Sequence, residues 1–406
     1  MRAQDRFAAL RHRGFALYWV AIILIGFALQ MQTVAVGWQV YELTRNPFDL
    51  GLVGLSQFAP ALLLVLVTGP VADKFSRRRI IGVCLGIQAL CALGLLAITL
   101  GAAEGTLPIF ALLALFGAAR AFYNPARQAI LPNLVPAEDL GGAIALSQTA
   151  SQVATISGPM VGGLLFGILP ALAYGATALF LMIAMALMLL IQKPAQRRAA
   201  AHATWKMISG GFRFIWSEKV VLGAISLDLF AVLLGGAAAL LPVYASDILE
   251  VGPFGLGALR SAMAVGAILM GGLLILRPIK QHAGHIMFGA VCAFGVFTLV
   301  FALSTTVWIS VVALMLMGCA DMVSVYVRGM LVQLWTPDEL RGRVNAVNGV
   351  FVGASNELGG FRAGTMAALI GPVAAVAVGA AGTLAVTGLW MRGFPELRRI
   401  GRLTRT

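Results

Sequence analysis

Apolar runs of about 20 residues recur along the whole chain, and about 20 is the number a helix needs to cross the roughly 30 Å hydrocarbon core of a bilayer. Ala16 to Val40, Ile80 to Gly101 and Met287 to Leu303 are examples. In lipid the backbone must satisfy its own hydrogen bonds, so such runs form helices. Composition agrees: of 406 residues, 60% are hydrophobic and only 11% are charged, a charged fraction far below that of soluble domains. The 47 glycines suit close helix contacts in a membrane. Cys84, Cys91, Cys292 and Cys319 all lie inside apolar runs and read as small hydrophobes. They form neither a disulfide framework nor a metal-ligand spacing. The first run is too long for a signal-peptide core and lacks a convincing small-residue cleavage site, so it reads as a retained helix.

Spans are expected at about 15–41, 48–72, 80–101, 107–131, 140–168, 171–191, 220–246, 254–276, 286–303, 306–333, 343–369 and 371–391. The net charge of +13 would suggest nucleic acid for a soluble protein, but its distribution excludes that reading. Of the 29 Lys and Arg residues, 23 fall in the N-terminus, the even-to-odd loops and the C-terminus. The opposite loops hold one, Arg45, and five lie within spans. This split is a positive-inside signal that puts both ends in the cytoplasm and requires an even number of spans. The tail from Arg392 to Arg405 is expected against anionic head groups.

The longest cytoplasmic loop divides the chain. The expected organisation is a six-helix half at 1–191, a loop at 192–219, a second half at 220–391 and a basic tail at 392–406. Within the loop, Trp205, Ile208, Phe212 and Ile215 follow helical spacing. They suggest either a short amphipathic helix on the membrane surface or an ordinary linker with a helical turn. The halves resemble each other. Val40-Tyr41 and Pro47-Phe48-Asp49-Leu50-Gly51 are echoed by Val243-Tyr244 and Pro253-Phe254-Gly255-Leu256-Gly257. Arg127, Pro136, Glu138, Gly158 and Gly163 recur 201 residues later as Arg328, Pro337, Glu339, Gly359 and Gly364. Two six-helix halves in parallel repeat are the plan of one large transporter class, whose site lies near the midplane between halves.

After the second span stands Gly69-Pro70-Val71-Ala72-Asp73-Lys74-Phe75-Ser76-Arg77-Arg78-Arg79. It resembles the loop signature of the major facilitator superfamily, departing where Ser76 replaces the usual glycine. In such a loop Gly69 lets helices approach, Asp73 pairs with a cation or caps a helix, and Arg77 and Arg78 anchor the loop inside. The second half's loop, Arg277 to Gly284, lacks an acid and is a poor copy. The fifth span carries Gly158-Pro159-Met160-Val161-Gly162-Gly163. This is similar to the core of the superfamily's antiporter signature, with Ala145 and Ala154 in place of upstream glycines. Three further stretches look most like the branch that exports enterobactin and macrolides: Trp38 to Thr44, Asn124-Pro125-Ala126-Arg127 and Gly210 to Phe214. The resemblance covers the whole chain. It implies twelve helices in two pseudo-symmetric halves, helices one, four, seven and ten around a central cavity, and outward transport driven by a proton gradient.

A charge at bilayer depth costs at least ~2.5 kcal/mol, so each is a functional candidate. Arg120, Asp228, Asp321, Arg328, Glu357 and Arg362 qualify. The 201-residue offset relates Arg120 to Asp321 as well as Arg127 to Arg328, placing a cation in one half opposite an anion in the other. Arg120 and Asp321 are expected to face one cavity, either as a pair that changes between states or as a fixed ion pair. Asp228, Asp321 and Glu357 are the candidates for proton coupling, because a carboxyl group in a poorly solvated cavity can load and release a proton near neutral pH. Asp228 ranks first, having no cation one or two turns away in its own helix. Arg120, Arg328 and Arg362 are candidate cavity cations, and Arg260 is expected to snorkel outward. Gln30, Gln32 and Gln39 either contact substrate or join helices, and Phe122, Tyr123 and Phe230 either stack on a flat substrate or pack. The four histidines fall in cytoplasmic segments.

No His-Glu-x-x-His, clustered catalytic acids or nucleotide-binding loop is present. The chain therefore reads as a transporter and not an enzyme, without cofactor, metal or nucleic-acid partner. Its expected partners are a small-molecule substrate, protons and the lipid bilayer, and it is expected to work as a monomer in a bacterial inner membrane. Proton-coupled efflux of a siderophore or drug-like molecule is the first expectation, and a uniporter or importer on the same fold is the alternative.

Overall fold

The computed structural model describes residues 8–192 and 205–401; the side chains of 65–66, 69–70, 72–73 and 205–209 lie outside that description. Gly69 and Asp73 of the loop signature, and Trp205 and Ile208 of the central loop, are therefore known here by sequence alone. The described chain is all helical. The first six long helices are α1 (Arg13–Thr44), α2 (Pro47–Lys74), α3 (Arg77–Thr99), α4 (Leu107–Ile130), α5 (Leu140–Ile168) and α6 (Pro170–Leu190). A short helix α7 (Trp205–Ser217) follows, then α8 (Lys219–Gly235) and the single turn α9 (Leu241–Val243). The remainder are α10 (Gly252–Leu276), α11 (Ala283–Leu303), α12 (Val307–Trp335), α13 (Asp338–Ile370), α14 (Pro372–Gly393) and the C-terminal turn α15 (Pro395–Arg398).

Counting α8 and its continuation to Ile248 as one crossing, twelve helical stretches reach membrane-spanning length among the described residues. Eleven of them are also apolar enough to be recognised as spans on that ground. The twelfth is α13, which carries Asp338, Glu339, Arg341 and Arg343 in its first turns and Asn345, Asn348, Asn356, Glu357 and Arg362 further on. The chain is an integral membrane protein with six long helices per half.

The helices gather into two compact units. One comprises Met1–Leu43, Ser56–His202 and Pro253–Gly257; the other comprises Thr44–Leu55, Ala203–Gly252 and Ala258–Thr406. In the first, α3 packs on α4 and α6. Its core is built from Ile81, Leu85 and Ala92 of α3 with Leu181, Ala184 and Met188 of α6. In the second, α11 packs on α12 and α14, which the repeat relates to α3, α4 and α6. Each unit thus realises the same local plan.

The repeated glycines show why. A Cβ on Gly163 would lie 2.3 Å from the carbonyl oxygen of Pro253, in the first turn of α10. A Cβ on Gly364, its repeat partner, would lie 2.6 Å from the carbonyl oxygen of Pro47, in the first turn of α2. Pro47 and Pro253 are themselves repeat partners, so the same backbone-to-backbone approach is built once in each unit. Residues 44–55 accordingly belong to the second unit and residues 253–257 to the first. The Gly-Pro-x-x-Gly-Gly stretch serves further close contacts. A Cβ on Gly158 would meet Gln30, and one on Gly162 would meet Met31.

The loop segment forms helix α7, and of the described residues of the pattern Ile215 and Phe212 meet protein. Ile215 is buried with Val221, Val344 and Val347, and the Phe212 ring meets Phe351 edge-on. Phe212 and Trp216 stack on each other and stay exposed.

The seventh crossing is not the continuous helix expected. It breaks after Gly235, passes through a 3-10 segment at Ala237–Leu240 and one helical turn, and ends in a π-helical segment at Tyr244–Ile248. A Cβ on Gly236 would come 2.5 Å from the carbonyl oxygen of Gly359, so the break lets α13 approach closely.

Replacing Gly163 or Gly364 by leucine is expected to destabilise the purified protein by roughly 1–3 kcal/mol through overpacking. Thermal unfolding in detergent reads this, and unchanged midpoints in both variants would contradict the contact.

Candidate functional site

Hydrocarbon offers no water to a buried ion, so every charge inside the bundle has to be matched by the protein itself. Asp228 on α8 and Arg328 on α12 solve this for each other. The Asp228 Oδ2 and Arg328 Nη1 atoms form an ion pair, and each side chain is only 7% exposed. Asp228 has no cation one or two turns away in its own helix, and its cation comes from across the bundle. Its partner sits on another helix, where spacing along α8 cannot reveal it. Arg328, expected as a cavity cation, is the buried half of this pair.

Asp321 and Ser324 precede Arg328 by two turns and one turn, so the three lie on one face of α12. Asp321 and Ser324, together with Asp228, Ala231 and Val232 of α8 and Val291 and Phe294 of α11, line a small cavity. Its volume is about 10 Å³, roughly the space for one water. The Ser324 hydroxyl is buried and has no hydrogen-bond partner among the described residues. Sequence reasoning missed Ser324, although its place between Asp321 and Arg328 on a three-and-four spacing was a usable signal. The site therefore holds two carboxyl groups and one free hydroxyl around a water-sized space, with the Arg328 guanidinium paired to one of the carboxyl groups.

The other predicted charges fall elsewhere. Arg362 on α13 donates from Nε to the carbonyl of Leu233 at 2.9 Å and from Nη2 to that of Leu234. These carbonyls belong to the last turn of α8, freed by the break at Gly235, and a cation there also meets the negative end of the helix dipole. Arg362 is thus a helix cap, not a cavity cation. Glu357, five residues before it, is half-buried, and its Oε2 occupies the space a Cβ on Gly54 would need. The Glu357 carboxylate exerts an attractive field on Arg260. Arg260 keeps its Nε buried, so it turns inward and does not snorkel.

In the other unit, Arg120 is exposed on α4, in line with exposed Asn124 and Gln128 at successive four-residue steps. Arg127 is half-buried, and its carbonyl accepts from the Tyr18 hydroxyl at 3.5 Å. Of the two alternatives for Tyr123, stacking on a substrate or packing, its place is the second: it is 4% exposed within the apolar core. Gln32 is buried, and Gln30 is half-buried against Gly158. Gln39 joins helices: it accepts from Tyr174 at 2.5 Å and donates to Thr99 at 3.0 Å. Arg77 and Arg78 of the loop signature donate to the carbonyls of Ala129 at 2.8 Å and Ile191 at 2.5 Å. These acceptors lie at the C-terminal ends of α4 and α6, so both arginines pin α3 to neighbouring helix ends.

A family profile described as transmembrane secretion effector matches residues 4–399. The chain belongs to that family, within the major facilitator superfamily. It is 27% identical over 404 residues to an enterobactin exporter, EntS, of Shigella boydii serotype 18, covering 96% of this chain and 93% of that protein. The EntS of Escherichia coli O139:H28 is 26% identical with the same coverage. Among solved structures, a mutant of the nucleoside transporter NupG superposes with a TM-score of 0.76 at 14% identity, over 94% of this chain and 100% of that one. A bacterial homologue of the iron transporter ferroportin, in an inward-facing state, gives 0.73 at 15% identity, over 95% and 99%. These structures share the fold. Family and fold are those of membrane transporters.

Removing one partner of a buried ion pair typically costs ~3–5 kcal/mol because the other charge is stranded. Arg328→Gln is therefore expected to lower the unfolding temperature of the purified protein sharply, and Asp228→Asn in the same chain to recover part of the loss. Additive losses in the double variant would contradict the pair.

Proposed function

We propose that this family member exports a small organic molecule, siderophore-like or drug-like, in exchange for protons, by alternating access of its two six-helix halves. The halves run over 1–191 and 220–391, joined by the loop at 192–219, with both termini in the cytoplasm of a bacterial inner membrane. The chain works as a monomer. Named relatives that export enterobactin support the substrate class and the direction.

The observation that carries the coupling is the Asp228, Asp321, Ser324 and Arg328 cluster. With both carboxyl groups ionised, one guanidinium leaves a negative charge uncompensated in a poorly solvated space, and a proton is the smallest compensation available. Asp228 is held as the carboxylate by Arg328, so the proton resides on Asp321, whose neighbour Ser324 can donate to or accept from it. This reverses the order in which spacing alone ranks the two acids. Release of that proton requires a new cation or water at Asp321. Proton loading and substrate binding then bias a two-state equilibrium.

Everted membrane vesicles carrying the protein test the proposal, with enterobactin as the first substrate. Wild type is expected to accumulate it uphill when the lumen is acidified and to lose this with a protonophore. Asp321→Asn is expected to lose uphill accumulation while keeping downhill exchange. Accumulation that survives a collapsed proton gradient, or that Asp321→Asn leaves intact, would overturn the coupling.

A further inference from the structure

An apolar groove of about 350 Å³ runs along the first unit between α2, α3 and α4. Phe75, Val83, Ile87, Leu115 and Phe122 line it, and its only charged lining residue among those described is Arg79. Phe75, Val83 and Leu115 are 53%, 62% and 49% exposed, so the groove opens on the outer surface of the unit. On α3 it extends from Arg79, in the first turn, to Ile87 eight residues on, a length of ~12 Å along the helix. The cation thus marks one end and hydrocarbon walls continue from it.

The three consecutive arginines are not equivalent. Arg77 is buried and donates to Ala129, and Arg78 donates to Ile191. Arg79 stays exposed at the groove. Lys74 adds a second exposed cation, with its Nζ 5.9 Å from the centre of the Phe75 ring at the same end. With the orientation given under the proposed function, two exposed cations at one end of an exposed apolar groove match a molecule with an anionic head and a hydrocarbon tail. Cytoplasmic leaflets supply such molecules, and each basic side chain near them contributes about 1 kcal/mol of attraction.

We propose that this groove is a binding site for one anionic phospholipid of the cytoplasmic leaflet, its phosphate on Arg79 and an acyl chain along Val83 and Ile87. The leaflet rests on the orientation given under the proposed function. The site itself requires neither transport nor a particular substrate.

Native mass spectrometry of the purified protein in mixed micelles tests it, using phosphatidylglycerol and phosphatidylcholine of identical acyl chains. Wild type is expected to retain one phosphatidylglycerol in preference to phosphatidylcholine. Arg79→Gln is expected to weaken that retention about fivefold, the share of one cation at an anionic surface, and to leave phosphatidylcholine unchanged. Val83→Trp, which fills the groove from an exposed position, is expected to reduce retention of both lipids. Equal retention of the two lipids by wild type, or an unchanged lipid count in Val83→Trp, would overturn the proposal. Displacement of the lipid by excess enterobactin would assign the groove to substrate and overturn it as well. No arm reads transport, so a failure of the proton-coupling account leaves this result intact, and the reverse.

Discussion

The Asp228–Arg328 ion pair is the interaction around which the second unit is arranged. An isolated carboxylate or guanidinium between α8 and α12 would carry a desolvation cost of several kcal/mol, so the two helices must meet at this depth and in this register. Once they do, Asp321 and Ser324 are brought to the same small cavity simply by their place on α12. The break after Gly235 follows the same rule one level down. Carbonyls freed in a membrane need donors, and Arg362 supplies them from α13. Close approach of α13 is in turn possible because Gly236 and Gly359 carry no side chains.

Much of this was legible in the sequence. Apolar length, charge asymmetry and the 201-residue repeat pointed to two six-helix halves, and the repeat anticipated that Gly163 and Gly364 would do equivalent work. Span eleven was also placed, although α13 is too polar to be recognised by hydropathy alone. What stayed hidden depends on contacts between helices. Arg328 and Asp228 are both visible as intramembrane charges, but spacing along one helix cannot show that they pair across two. Arg362 was visible too, yet its use as a cap depends on the break in α8. The Gly235-Gly236 pair hinted at that break, but apolar periodicity runs straight through it. Which of the two alternatives held for Tyr123 was hidden for a related reason: residue type does not tell which face of a helix is buried.

In the proposed coupling the same few residues divide two tasks. One carboxyl group neutralises the arginine and holds the helices together, leaving the second available for chemistry. Structure and coupling are then separable in the same few residues, a division expected when buried charges are few and each is costly.

The most direct measurement is the protonation state of Asp321. Infrared difference spectra of the purified protein between acidic and alkaline pH resolve protonated carboxyl groups. The account predicts a titrating carboxyl band in wild type that disappears in Asp321→Asn. A band that persists unchanged in Asp321→Asn would place the proton elsewhere and contradict it.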